Sequence, residues 1–223
     1  MNQEQALSLL KETKLVAILR GIPVKQATDI ATALYDGGVR VLEFTFDHDD
    51  LDCVAHNCQR IRAVKKIFGD EMVVGCGTAL TVQEVEASVE AGGQIVISPN
   101  VDVSVIAKTK ALGAISMPGA LTPTEIVMAY NAGADIVKLF PAGTLGVPYI
   151  KAVRGPLGYI PMSAVGGVRP ETIADFLNAG VCGFGVGGEL VKKEFVRSGD
   201  MNALTSRARK FVHAIEQWEA NRS

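Results

Sequence analysis

The sequence predicts an α/β protein, a single (β/α)8 TIM barrel with an N-terminal helix that occupies 1–223 as one domain. Three observations predict it. Eight short apolar runs recur along the chain, amphipathic stretches separate them, and glycines follow the ends of several of those stretches. Strands that are apolar on both faces suit a parallel sheet covered by helices. Eight of them alternating with helices over 223 residues fit one closed barrel.

The runs are LVAILR (Leu15–Arg20), VRVLEFTF (Val39–Phe46), MVVGC (Met72–Cys76), QIVIS (Gln94–Ser98), AISM (Ala114–Met117), DIVKLF (Asp135–Phe140), IPMSAV (Ile160–Val165) and GFGV (Gly183–Val186). All are short and rich in β-branched residues. Between them, Val24–Asp36 places Ala27, Ile30, Ala31 and Leu34 at helical spacing. Thr81–Ala91 opens with a capping threonine and an acidic first turn. Thr122–Asn131 opens T-P-T-E, a capping box with proline in the first turn. Arg169–Ala179 opens R-P-E-T, which again places proline near a helix start, and Leu204–Trp218 reads as a terminal helix. Gly37–Gly38, Gly92–Gly93, Gly133 and Gly180 stand where helices should stop. The competing architecture is an open doubly wound sheet. It would be favoured by a G-x-G-x-x-G turn after the first strand, and Arg20-Gly21-Ile22-Pro23 stands there instead.

Composition removes several function classes. A net charge of -2 lends no electrostatic support to a nucleic-acid partner. Cys53, Cys58, Cys76 and Cys182 form no C-x-x-C pair, and with only His48, His56 and His213 no metal-ligand spacing emerges. The thiols read as reduced, in a cytoplasmic protein. The start, MNQEQALSLLKETK, is polar and amphipathic, which predicts neither a signal peptide nor a membrane span.

In a barrel of this kind, functional groups gather at the C-terminal ends of the strands. Lys138 lies within the sixth run. On the inward side it would sit among apolar walls, where desolvation lowers an amine's pKa and makes it a nucleophile toward a ketone. The protonated imine that results is an electron sink for carbon–carbon cleavage. The plainer alternative is a structural lysine that snorkels or pairs with Glu43. Glu43, in the second run, has apolar neighbours that would raise its pKa and fit it to move protons. Arg20 offers a planar fork for a carboxylate, or is an ordinary strand-end arginine. Gly75, Gly77 and Thr78 supply a turn and a hydroxyl nearby. Gly166-Gly167 and Gly187-Gly188 end the last two strands. Their backbone N–H groups and the helix starts beyond them would hold a phosphate or other anion, or they are simply turn glycines.

Taken in order, these residues resemble the 2-keto-3-deoxy-6-phosphogluconate / 4-hydroxy-2-oxoglutarate aldolase family, the class I pyruvate aldolases. The resemblance runs from Leu15 to Val191 through LVAILRG, GGVRVLEFTF, VVGCGTALT, IVISPNVD, MPGALTPTEIVMA, IVKLFPAG, AVGGVRPE and GVGGELV. It implies that Lys138 forms a Schiff base with a 2-oxo acid and that Glu43 is the general acid/base. It also implies that Arg20, Thr78 and Pro99 hold the pyruvyl carboxylate and that the glycine pairs form the phosphate end. The implied reaction releases pyruvate and an aldehyde (glyceraldehyde 3-phosphate or glyoxylate), without cofactor or metal. The implied enzyme is a cytoplasmic homotrimer whose partner is its small-molecule substrate, with no nucleic acid or membrane.

Three positions depart from common patterns of the family. Asp47 stands where some relatives carry arginine, Val165 where many read P-T-G-G, and Glu189 where serine or asparagine often follows G-G. A-V-G-G-V is shared with relatives that act on a galactonate-type acid, so that substrate, or an unphosphorylated one, is the alternative. Two further readings of the barrel are a sugar-phosphate epimerase using the glycine-pair site and a non-enzymatic 2-oxo acid sensor.

Overall fold

Strands with apolar side chains on both faces have to be covered on both faces, and the chain does this by closing its sheet on itself. The structure is a computed structural model and describes residues 1–222. Its strands are β1 (Leu15–Leu19), β2 (Val41–Thr45), β3 (Val73–Gly77), β4 (Ile95–Ile97), β5 (Ile115–Met117), β6 (Gly119–Ala120), β7 (Val137–Leu139), β8 (Met162–Val165) and β9 (Gly183–Val186). Every pairing is parallel, in the order β5-β4-β3-β2-β1-β9-β8-β7-β6.

The two outer members of that order are one broken strand. Pro118 separates β5 from β6; it has no N–H for a ladder and bends the chain. β5 pairs with β4, and β6 pairs with β7. The Lys138 N–H donates to the Pro118 carbonyl at 2.9 Å and the Asp135 N–H to the Ser116 carbonyl at 3.0 Å, which closes the barrel. The predicted eight-stranded barrel is therefore present, with its fifth strand in two pieces. Gly119 sits at the break because a Cβ there would lie 2.3 Å from the Pro99 carbonyl oxygen.

The helices are α1 (Gln3–Thr13), α2 (Ala27–Asp36), α3 (Cys53–Phe68), α4 (Val82–Glu90), α5 (Val103–Ala111), α6 (Pro123–Asn131), α7 (Ala142–Leu157), α8 (Ile173–Asn178), α9 (Lys193–Ser198) and α10 (Met201–Ala220). Both capping signals read in the sequence are made. Thr81 caps α4, with the Glu84 N–H donating to its Oγ1 at 3.2 Å; Thr122 caps α6 with Glu125 returning the bond and Pro123 in the first turn. The stretches from Val24 and from Arg169 begin instead as 3-10 turns, Val24–Gln26 and Pro170–Thr172, before α2 and α8.

Alternation along the strands sorts the side chains into two cores. Leu42, Phe44, Val137 and Leu139 face outward and pack under the helices in the larger core. Val16, Val41, Val73, Ile95, Ile97, Ile115, Met117, Ile136 and Val165 form the barrel interior, together with Ala6 and Leu10 of α1. α1 lies across the N-terminal mouth. The Gln3 side chain donates to the Ala114 carbonyl just before β5, and Gln94, just before β4, donates to the Met1 carbonyl, both at 3.1 Å. Among the described residues, no helix is long and apolar enough to cross a membrane.

Candidate active site

The same alternation decides where the two charged strand residues point. Val41 faces in, Leu42 out, Glu43 in, Phe44 out. Ile136 faces in, Val137 out, Lys138 in, Leu139 out. Glu43 and Lys138 therefore enter the barrel from β2 and β7, at 1% and 7% exposure. Ser163, paired in register with Lys138, is also buried on the inner side.

Burial moves both ionisation equilibria. Desolvation raises the Glu43 carboxyl from its ordinary 4.5 to about 7, against the opposing pull of Lys138 and Arg20. Desolvation lowers the Lys138 ammonium. Arg20 lowers it further, while Glu43 holds it up. The two side chains do not form a direct ion pair among the described residues, and Glu43 Oε2 is buried with no hydrogen-bond partner. An unpartnered buried carboxylate oxygen is rare and expensive. Here the same atom has a protein-made space: a Cβ on Gly77 would stand 2.2 Å from it. Glycine at 77 is what lets the carboxylate lie against β3.

The turn after β3 is strained. Thr78 has φ 58, a left-handed conformation that a β-branched residue adopts at a cost of about 1–3 kcal/mol. It is half-buried, as is Pro99 after β4, and Arg20 at the end of β1 is exposed. Thr45, in the E-x-T motif, donates to the Leu19 carbonyl at 3.3 Å and ties the ends of β1 and β2.

A cavity of about 390 Å3 opens at the C-terminal mouth. Gly166, Gly167, Gly187 and Gly188 all line it, with Arg20 and Phe140. The structure thus brings both glycine pairs and Arg20 together. The helices beyond the pairs do not begin at them: α8 starts at Ile173 and α9 at Lys193, so the loop backbone forms the wall and Lys193 is the only helix start on it among the described residues. Lys138 and Glu43 do not line this cavity. The Phe140 ring does, and the Lys138 Nζ lies 5.0 Å from that ring's centroid. Ionised or not, the amine lies one aromatic ring from the open space.

The departures resolve unevenly. The Glu189 carbonyl accepts from Arg207 Nε at 2.8 Å and its carboxylate pairs with Arg207 Nη2 at 3.4 Å, so its charge is drawn toward α10. Val165 lines the cavity, and Asp47 borders a neighbouring one. Two residues gained importance only in three dimensions. Phe140 follows Lys138 by two, and its ring lies over the amine, 5.0 Å from centroid to Nζ. Lys193 is one of two adjacent lysines in a polar run, and nothing in its sequence context signals that it reaches the mouth. The cysteines are all free; burial pushes the Cys76 thiol up to about 12, which makes it unreactive. No cluster of metal-binding side chains exists among the described residues.

Comparison with known proteins settles the family. The family model described as "Aldolase: KDPG and KHG aldolase" matches residues 7–207. The chain belongs to the KDPG and KHG aldolase family. It is accordingly an aldolase, a carbon–carbon lyase, and the epimerase and sensor readings fall away. A 2-dehydro-3-deoxy-6-phosphogalactonate aldolase of Escherichia coli (strain K12) is 35% identical, over 80% of this chain and 84% of that one. The KHG/KDPG aldolase of the same strain is 32% identical over 95% and 96%. A solved structure described as "Native KDPGal structure" superposes with a TM-score of 0.83 at 32% identity, covering 92% of this chain and 96% of that one.

Proposed function

We propose that this aldolase works through a Schiff base on Lys138, cleaving a 2-keto-3-deoxy sugar acid 6-phosphate of the gluconate type, or 4-hydroxy-2-oxoglutarate, to pyruvate and an aldehyde. One observation carries the reading. A lysine and a glutamate enter the same barrel interior, and burial moves each toward its neutral form. The neutral Lys138 amine adds to the C2 carbonyl, and water leaves as the iminium forms. The Glu43 carboxylate takes the proton of the C4 hydroxyl. The C3–C4 bond breaks, its electron pair moves into the iminium to give an enamine, and the aldehyde departs. Glu43 returns its proton to C3, and water hydrolyses the pyruvyl iminium to free the amine. Arg20, Thr78 and Pro99 orient the pyruvyl carboxylate, and Gly166, Gly167, Gly187 and Gly188 offer backbone to the phosphate end. No cofactor or metal enters these steps.

The galactonate-type acid is the second reading. It is favoured by Val165 on the cavity wall within A-V-G-G-V and by the 35% identity to the phosphogalactonate aldolase. We further infer a single catalytic domain, a homotrimer and a cytoplasmic role in Entner–Doudoroff-type carbohydrate metabolism, supported by the family resemblance. Light scattering should report three times the 23.6 kDa chain mass. The test of the chemistry is reductive trapping: pyruvate with borohydride, then digestion. Modification at Lys138 is expected. Labelling of another lysine, or of none, overturns the mechanism.

A further inference from the structure

A second cavity of about 610 Å3 lies beside the first, and Arg20, Val191 and Lys193 line both. Four cations border it, Arg20, Lys25, Lys193 and Arg197, against the single carboxylate of Asp47. None of the four makes an ion pair among the described residues. Cations elsewhere do find carboxylates, as Lys110 does with Asp135 at 2.6 Å and Lys108 with Glu86 at 2.8 Å, but what sets this cavity apart is that four cations share one concave wall. The chain as a whole carries a net charge of -2, so this excess of positive charge is local. A concave surface of one sign focuses its field and gathers counter-ions of the other.

We propose that Lys25, Lys193 and Arg197 are the side chains that recognise the terminal anion of the substrate's aldehyde fragment, with Asp47 as the opposing charge that limits how tightly it is held. The proposal rests on the aldolase reading and adds what that reading lacks. The glycine pairs offer backbone but no positive charge, and the residue that follows the second pair, Glu189, is an anion on the same wall. A 2-oxo acid anchored at Lys138 can leave the barrel only by the C-terminal mouth, and there its far end meets Lys193 on the shared wall. The ligand chemistry is a phosphate monoester or a carboxylate. A dianion gains more than a monoanion from every cation.

The test uses the full-length enzyme and three cleavage substrates: a 2-keto-3-deoxy acid 6-phosphate, its unphosphorylated counterpart and 4-hydroxy-2-oxoglutarate. Lys193→Gln and Arg197→Gln are each expected to raise KM for the phosphorylated acid about fivefold, with kcat unchanged. KM for the unphosphorylated acid should stay put, and the dicarboxylate should respond less than the phosphate. Inorganic phosphate should inhibit competitively, and more weakly in both variants. Asp47→Asn should lower KM for the phosphorylated acid, a change of opposite sign that damage to the fold does not produce. An unchanged KM in the Lys193→Gln/Arg197→Gln double variant, an equal loss on the phosphorylated and unphosphorylated acids, or no cleavage of either the phosphorylated acid or 4-hydroxy-2-oxoglutarate overturns the proposal. Borohydride trapping of pyruvate on the same proteins separates the two readings: a wild type that traps pyruvate but shows no charge dependence fails only this one.

Discussion

The Glu43 carboxyl is the residue whose surroundings make the most definite demands on experiment. Its folded-state pKa of about 7 lies above the ordinary 4.5. Below pH 4.5 the carboxyl is protonated whether the chain is folded or not, and it contributes nothing to the balance. Between 4.5 and 7 the unfolded chain releases a proton that the folded one keeps, so stability falls as pH rises, by up to about 3 kcal/mol. Glu43→Gln should abolish that decline, seen as urea midpoints that stay level from pH 5 to pH 8. The same substitution should remove the acid limb of kcat/KM near pH 7 and most of the rate. Thr78 offers a simpler contrast. Thr78→Gly relieves the φ 58 conformation and should stabilise the chain by about 1 kcal/mol, while raising KM for the 2-oxo acid as the hydroxyl is lost. Gains in both stability and affinity would remove Thr78 from the site. Of the residues named from sequence, Lys138 and Glu43 were legible because a charge inside an apolar strand is conspicuous. Phe140 and Lys193 were not, because what matters in them is a distance through space.

At the scale of elements, β2 and β3 are joined by an absence. The Glu43 carboxylate fills the place of a side chain on Gly77, so Gly77→Ala has to push it aside or part the strands. The expected outcome is a loss of about 100-fold or more in kcat together with about 2 kcal/mol of stability. An alanine variant with normal kcat would show that the carboxylate position is immaterial. The strands themselves were readable, because burial on both faces writes a continuous apolar run. Helices read less evenly. α3 carries its buried Cys58, Ile61, Val64 and Phe68 among Gln59, Arg60, Arg62, Lys65 and Lys66, which dilutes the periodicity. α7 is interrupted by Gly146 at φ 71 and contains Pro148 and Pro156, signals that ordinarily mark loops. The break at Pro118 was hidden for a different reason. A proline between two apolar runs ends a strand in the usual reading, whereas here the chain resumes pairing one residue later with a different neighbour.

For the molecule as a whole, the barrel's inner core depends on a helix that is not part of the barrel. Leu10 of α1 packs with Val16, Val41 and Val73 beneath the strand ends. Leu10→Ala should cost about 2–5 kcal/mol, measured by chemical denaturation. It should also bring the Lys138 ammonium back toward ordinary lysine behaviour, shifting the pH optimum of pyruvate trapping upward. A destabilised variant with an unmoved optimum would mean that the helix supports the fold alone. The stopper beneath the strands has one more consequence. A vessel sealed below fills and drains through its top, so the water set free on condensation with Lys138 must depart by the passage the 2-oxo acid came in by. A bound acid occupying that passage would then detain the water it has just released, close to the imine that later needs it back.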